Sequence, residues 1–250
     1  MTEPRQDAPT FAAGAPQRAA ALAAQYGHLQ GIELLHAMTL EFPGRIALAS
    51  SFGTESAVLL HMASTIDPGL PVIFLNTGKL FDETLRYRDD LVARLGLTGV
   101  IEAKPSNEWL SEVDPSGRLW RFDPDLCCRI RKVAPMETAL KNFDAWITGR
   151  KRMHGGQRTG IDPIEIADGR IKINPLADWS RGRIEAYLDR EKLPRHPLEA
   201  EGFPSIGCVP CTARPQPGSD VRSGRWAGQA KTECGIHLPY LAAAHGESRR

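Results

Sequence analysis

The stretch RIALASSFGTESAVLLHMAS, residues 45–64, decides the fold. It opens with a short apolar run ending in small residues, passes through a small hydroxylated segment, and continues apolar at helical spacing. That order predicts strand, tight loop, helix. The unit recurs as PVIFLN (71–76), TGKLF and DETLRYRDDLVARLG, with Asp82 as the expected N-cap and Gly96 as the stop. Further strands are expected in GVIEAK (99–104) and AWITG (145–149). Upstream, residues 20–42 read as two helical pieces interrupted by Gly27 and Gly31, and SRGRIEAYLDREKL (180–193) as an amphipathic helix opened by Ser180. Strands alternating with helices of this length argue an α/β fold with a doubly wound, mostly parallel sheet covered on both faces.

With 250 residues the chain is long enough for one sizeable core. Three stretches are expected: a disordered N-terminus over 1–14, an α/β domain over 15–214, and a mobile C-terminal segment over 215–250. Hydrophobic residues at 42% and charged residues at 24% are ordinary for a soluble globular protein. A net charge of +1 recommends neither nucleic acid nor an anionic membrane, so any basic function must come from local clustering. The polar N-terminus is no secretory signal and no later run reaches membrane-spanning length, so a cytoplasmic protein is expected. Five cysteines in a reducing compartment point to metal binding or chemistry rather than disulfides.

Two stretches suit an anion. In SSFGTES (50–56), the backbone N–H groups and the hydroxyls of Ser50, Ser51, Thr54 and Ser56 are expected to cradle a phosphate. It is not a Walker A loop, and a small-residue turn capping a helix is the competing reading. TGRKRMHGGQRTG (148–160) gathers Arg150, Lys151, Arg152 and Arg158 around His154 with no acidic residue. It predicts a local phosphate site; nucleic acid is the competing anion, although the stretch lacks aromatics for stacking.

Cys127 and Cys128 are adjacent in DLCCRIRK, and Cys208 and Cys211 flank two residues in GCVPC. Four thiolates suffice for a zinc site or a [4Fe–4S] cluster. Structural zinc usually draws its ligands from hooks with a few residues between the cysteines, whereas contiguous cysteines suit a larger cubane, so iron–sulfur leads zinc. A redox Cys-x-x-Cys stands lower, because this pair lies in a Pro/Gly-rich loop rather than at a helix start. The fifth thiol, Cys234 in KTECGIHLPY, reads equally as an accidental free thiol or as a nucleophile.

Taken together, SSFGTES, the Cys-Cys pair, GCVPCT and ECGIH resemble the assimilatory adenylyl-sulfate (APS) reductases of the PAPS/APS reductase family, across roughly residues 47–238. The resemblance implies an adenine nucleotide alpha hydrolase-like fold of PP-loop type. SSFGTES, including Phe52, Gly53 and Glu55, would face the phosphosulfate; Leu75, Asn76, Thr77, Gly78, Gly149, Arg150, Lys151 and Arg158 would contact the rest of the nucleotide. Cys234 would attack the sulfur of APS, releasing AMP, and thioredoxin would cleave the S-sulfocysteine to sulfite. Cys127, Cys128, Cys208 and Cys211 would hold a [4Fe–4S] cluster. Lys132 would lie between cluster and substrate, Arg222 and Arg225 near the sulfate, and His237 beside the thiol or substrate.

The same resemblance leaves PAPS, or both nucleotides, open as substrate, and is compatible with a homo-oligomer. It implies no nucleic-acid or membrane partner. A tRNA-thiolating enzyme of the same fold is disfavoured because the loop is not of SGGxDS type. A non-catalytic zinc-stabilised binding module is the remaining reading, and would keep its ligand binding when Cys234 is replaced.

Overall fold

The computed structural model describes residues 14–229 and 231–237; the expected disordered N-terminus lies almost wholly outside the described residues. The described residues open with helices α1 (Ala15–Tyr26) and α2 (Gly31–Glu41). It then runs β1 (Ile46–Ser50), α3 (Ser56–Ile66), β2 (Val72–Leu75), α4 (Asp82–Leu95) and β3 (Val100–Ala103). Short helices α5 (Asn107–Val113), α6 (Leu119–Phe122) and α7 (Pro124–Cys128) follow, then a π-helical turn (Arg129–Val133) and α8 (Ala134–Ala139). Strands β4 (Ala145–Ile147), β5 (Ile164–Ala167) and β6 (Arg170–Ile173) precede α9 (Arg181–Arg190) and α10 (Pro197–Ala200). Among the described residues no helix is long and apolar enough to cross a membrane.

The six strands form one sheet in the order β3-β2-β1-β4-β6-β5, all pairings parallel except β5 with β6. Side chains alternate across it. Ile46, Leu48, Val72, Phe74, Ala145 and Ile147 pack under α1, α2, α3, α4 and α9. Ala47, Ile73, Ala103 and Trp146 face the other way, against Met136, Leu140 and Ile236. Both faces are covered, the second by less chain. From β1 the chain steps to β2 on one side and later to β4 on the other, so the loops leaving β1 and β4 diverge. A crevice opens between them, at the place where open α/β sheets take ligands.

Of the two expected N-caps one moves and one holds, and one strand pair is new. Asp82 is the first helical residue and Phe81 occupies the cap position, with no side-chain cap bond, so Asp82 serves the helix only as an acidic first-turn charge. Ser180 does cap α9, its hydroxyl accepting the Arg183 N–H. The β5–β6 hairpin was not foreseen, although its turn carries a signal: Asp168 and Gly169 take φ +49° and +73°, as a two-residue Asp-Gly hairpin turn requires. Lys172, 2% exposed in the middle of β6, obscures the apolar pattern.

Candidate active site

The loop after β1 is shaped by its own hydroxyl. Ser50 Oγ accepts the Phe52 N–H at 3.2 Å, and Phe52 takes φ +48°. The Phe52 ring is thereby turned into the core, edge-on to Phe74 with centroids 5.3 Å apart, so its expected place among the substrate contacts is corrected. Ser50, Ser51, Gly53, Thr54, Glu55 and Ser56 line the crevice. The first amides of α3 lie there too, with the positive end of the helix dipole. Leu75 and Thr77, after β2, line the same space. Asn76 and Gly78 do not: Asn76 donates to Glu102 at 2.7 Å and accepts the Gly78 N–H at 3.1 Å, building the turn instead.

The basic stretch after β4 is less bare than its sequence. Gly149, Arg150, Lys151, His154 and Arg158 line the crevice, but the fold brings carboxylates to them. Lys151 Nζ lies 2.7 Å and His154 Nε2 3.2 Å from Glu55. Burial alone would raise the Glu55 carboxyl, but the His154 hydrogen bond and the Lys151 charge outweigh it and hold it at about 2. Burial lowers His154, keeping the ring neutral. Its tautomer follows from its neighbours: Glu55 can only accept, so Nε2 carries the proton, and Nδ1 accepts from Arg158 Nη1 at 3.3 Å. Arg150 lies 3.7 Å from Glu165. Arg152 is corrected out of the anion site, since it pairs with Asp162 and Asp178 and does not line the crevice.

Opposite these loops lie the thiols. Cys127, Cys128, Cys208 and Cys211 are all buried and unbridged. The loop after β2 meets the Cys-x-x-Cys segment through Leu80 and Cys208, and the Val209 N–H donates to Lys79 O at 2.8 Å. Thr77 Oγ1 lies 3.2 Å from Cys208 Sγ. Burial pushes Cys127 up to about 11 and Cys128 up to about 12, and Cys208 acts on both as a like charge. Burial would raise Cys208 as well, but the Lys132 ammonium brings it down. Lys132 itself is held up, against burial, by Cys208, Cys234 and Cys128. Among the described residues no three His, Cys, Asp or Glu side chains are grouped as ligands of a metal ion.

The segment following Trp226 crosses the mouth of the crevice. Cys234 lines it together with Lys132, Arg222, Arg225 and His237, and packs against Cys208, Cys211 and Trp226. Arg225 donates to Ile206 O at 3.0 Å and Cys211 O at 3.3 Å. Its guanidinium runs over Gly207, where a Cβ would stand 2.2 Å from Nη2, so that position admits only glycine unless Arg225 moves. His237 stacks on Trp146, centroids 5.6 Å apart and planes 6° from parallel; burial and the surrounding cations keep it neutral.

All five residues expected to be catalytic therefore share one crevice with the loops after β1, β2 and β4. Sequence reading missed Glu233, whose carboxylate takes two bonds from Arg158, as well as the buried Arg131–Asp114 pair beneath Thr77. Glu233 sits beside Cys234 in ECGIH, but its partner is 75 positions away and no periodic pattern announces it.

Residues 45–214 match the family model described as Phosphoadenosine phosphosulfate reductase domain. The chain is 50% identical over 229 residues to an adenosine 5'-phosphosulfate reductase of Mesorhizobium japonicum, covering 91% of this chain and 90% of that protein. It is 41% identical to a phosphoadenosine 5'-phosphosulfate reductase of Gloeobacter violaceus, covering 86% and 92%. A crystal structure of the Candida auris phosphoadenylyl-sulfate reductase superposes with a TM-score of 0.67 at 27% identity, covering 79% of this chain and 97% of that one. The FMN adenylyltransferase of Candida glabrata shares the fold alone, at a TM-score of 0.54 and 15% identity.

Proposed function

The chain belongs to the phosphoadenosine phosphosulfate reductase family, and from that membership we propose that it reduces adenosine 5'-phosphosulfate to sulfite and AMP with Cys234 as nucleophile. The observation that carries the reading is the convergence in one crevice of Cys234, the amides and hydroxyls of residues 50–56, and the cations Lys132, Arg222 and Arg225. The thiolate attacks the sulfate sulfur, the bond from sulfur to the bridging oxygen breaks, and its electron pair leaves with AMP. Charge grows on the departing phosphate and on the sulfonate oxygens, where fixed cations lower the barrier most. An external dithiol then attacks Cys234 Sγ, its two electrons release sulfite, and its second thiol resolves the mixed disulfide and returns Cys234 to the thiol. Thioredoxin is the proposed dithiol; outward movement of the segment that carries Cys234 would let it reach the sulfur–sulfur bond.

Cys127, Cys128, Cys208 and Cys211 fit a [4Fe–4S] cluster by donor chemistry: four soft thiols from two distant segments, buried within mutual electrostatic reach and beside the Lys132 ammonium. A bound cluster would supply fixed charge and a rigid tie between the two segments rather than electrons. Lys132, already under the influence of Cys208 and Cys128, would answer that charge from the crevice wall. The relative named for the phosphorylated nucleotide keeps dual substrate use as a second reading.

The test is anaerobic purification, iron and sulfide analysis, and incubation with APS or PAPS and reduced thioredoxin. Sulfite from APS and about four irons per chain are expected; a colourless protein inert to both nucleotides overturns the proposal. Cys234→Ser abolishes sulfite formation and leaves the chromophore intact. Retained turnover would remove Cys234 as nucleophile.

A further inference from the structure

Cys234 is held over the crevice from both sides. On its C-terminal side, Ile236 packs against the second face of the sheet and His237 stacks on Trp146. On its N-terminal side, Glu233 is 9% exposed and accepts from Arg158 Nε at 2.6 Å and Nη2 at 2.9 Å, with Arg222 Nη2 a further 3.5 Å away. Arg222 also donates to the Thr232 carbonyl at 3.1 Å. With its third nitrogen on His154, the Arg158 guanidinium is engaged on every side. A fork that could grip a substrate anion instead grips the residue beside the nucleophile.

We propose that Glu233 is a positioning residue, whose bidentate pair with Arg158 latches the Cys234 segment over the crevice and sets the thiol for in-line attack. The inference rests on the reading of Cys234 as nucleophile. A charge-assisted fork fixes orientation as well as distance. Through His154 it is continuous with Glu55 of the loop after β1, so one chain of hydrogen bonds runs from the phosphate loop to the tail. The alternative is that Glu233 only occupies the place of a substrate anion on Arg158 and is displaced when substrate enters.

Glu233→Gln separates these, with AMP, APS and a maleimide as probes on the intact holoenzyme. Four of the five thiols are buried, so maleimide reads Cys234. The latch predicts labelling faster by at least about tenfold, the scale of losing a charge-assisted bidentate pair. It predicts kcat lower by roughly 100-fold, as expected of a reacting group misplaced by about 1 Å. AMP affinity should stay within about twofold, and Glu233→Asp, which keeps the charge, should bring both the labelling rate and kcat part of the way back to the parent's. Unchanged labelling and kcat would overturn the proposal, as would AMP binding more than about tenfold tighter with kcat intact, the mark of a displaced stand-in anion. Should the Gln variant fail to keep its far-UV spectrum, Glu233→Asp carries the test alone: labelling and kcat equal to the parent's would overturn the latch. Cys234→Ser, assayed in parallel, separates the two claims. Turnover without that thiol defeats the nucleophile reading, whereas a dead Cys234→Ser beside an unaltered Glu233→Gln defeats the latch alone.

Discussion

His196 and Glu55 show how single buried groups hold the crevice walls. His196 is 1% exposed; its Nδ1 accepts the Leu198 N–H, so Nε2 donates to Thr84 Oγ1, 3.0 Å away. Burial pushes it down to about 4, below the ordinary 6.5. The folded state therefore resists a proton that the unfolded chain accepts. This contribution to stability is complete above pH 6.5 and is lost as pH falls to about 4, by at most about 3 kcal/mol at roughly 1.4 kcal/mol per pH unit. His196→Asn, which keeps a capping side chain without the titration, should flatten that part of the stability–pH curve in urea melts; an unchanged slope would assign it elsewhere. Glu55 acts with the opposite charge: removing it strands Lys151, which is 3% exposed. Glu55→Gln should cost about 3 kcal/mol of unfolding free energy, the scale of breaking a buried pair from one side. A loss near zero would mean that the Lys151–Glu55 contact contributes nothing to the closed loop.

At the scale of elements, the π-helical turn is where local chemistry departs from regular periodicity. The Ala134 N–H reaches back five residues to Arg129 O, and the next residue, Pro135, has no N–H and a ring that crowds the carbonyl four before it. Widening the helix relieves both, and such bulges gather at functional sites. The widened turn carries Arg131, whose guanidinium donates to Thr77 O and pairs with Asp114 at 2.6 Å, and Lys132, which faces the crevice. Pro135→Ala restores the missing donor and lets the helix tighten. Thermal stability should hold or rise while sulfite formation falls by about tenfold or more, since the Lys132 charge would be re-aimed. Parent-like activity would show that the bulge follows from the proline without serving the site. Neither this turn nor the β5–β6 hairpin was foreseen. The first depends on a bond Pro135 cannot make, and the second on a lysine buried by a carboxylate seven positions away.

Across the whole molecule, what could be read in the chain was what repeats or clusters. The strand–loop–helix unit at 45–64 recurs, and from it follow the parallel sheet, its switch point and the crevice between the loops after β1 and β4. The cysteine pairs and ECGIH announce themselves by residue type. What stayed hidden are pairings between distant segments: Glu55 with Lys151, Arg158 with Glu233, Arg131 with Asp114. The first two neutralise charges of the basic stretch that looked available in the sequence, so the crevice is less positive than that stretch suggests. The same long-range logic governs the thiols. Cys127 and Cys128 end the short helix α7, whereas Cys208 and Cys211 lie in a loop about eighty residues later, held to the rest by little regular structure. A group ligated by both pairs would close that span, and closing a loop of such length restricts the unfolded chain by on the order of 4 kcal/mol. Cys208→Ser should accordingly bleach the chromophore and lower the urea midpoint. Cys234→Ser, outside the proposed ligand set, should do neither. An intact visible spectrum in Cys208→Ser would remove that thiol from the ligand set. A lost spectrum with an unmoved midpoint would mean that the tie between the two segments is already made by Thr77, Lys79 and Arg225, whose contacts to residues 206–211 are in place without it.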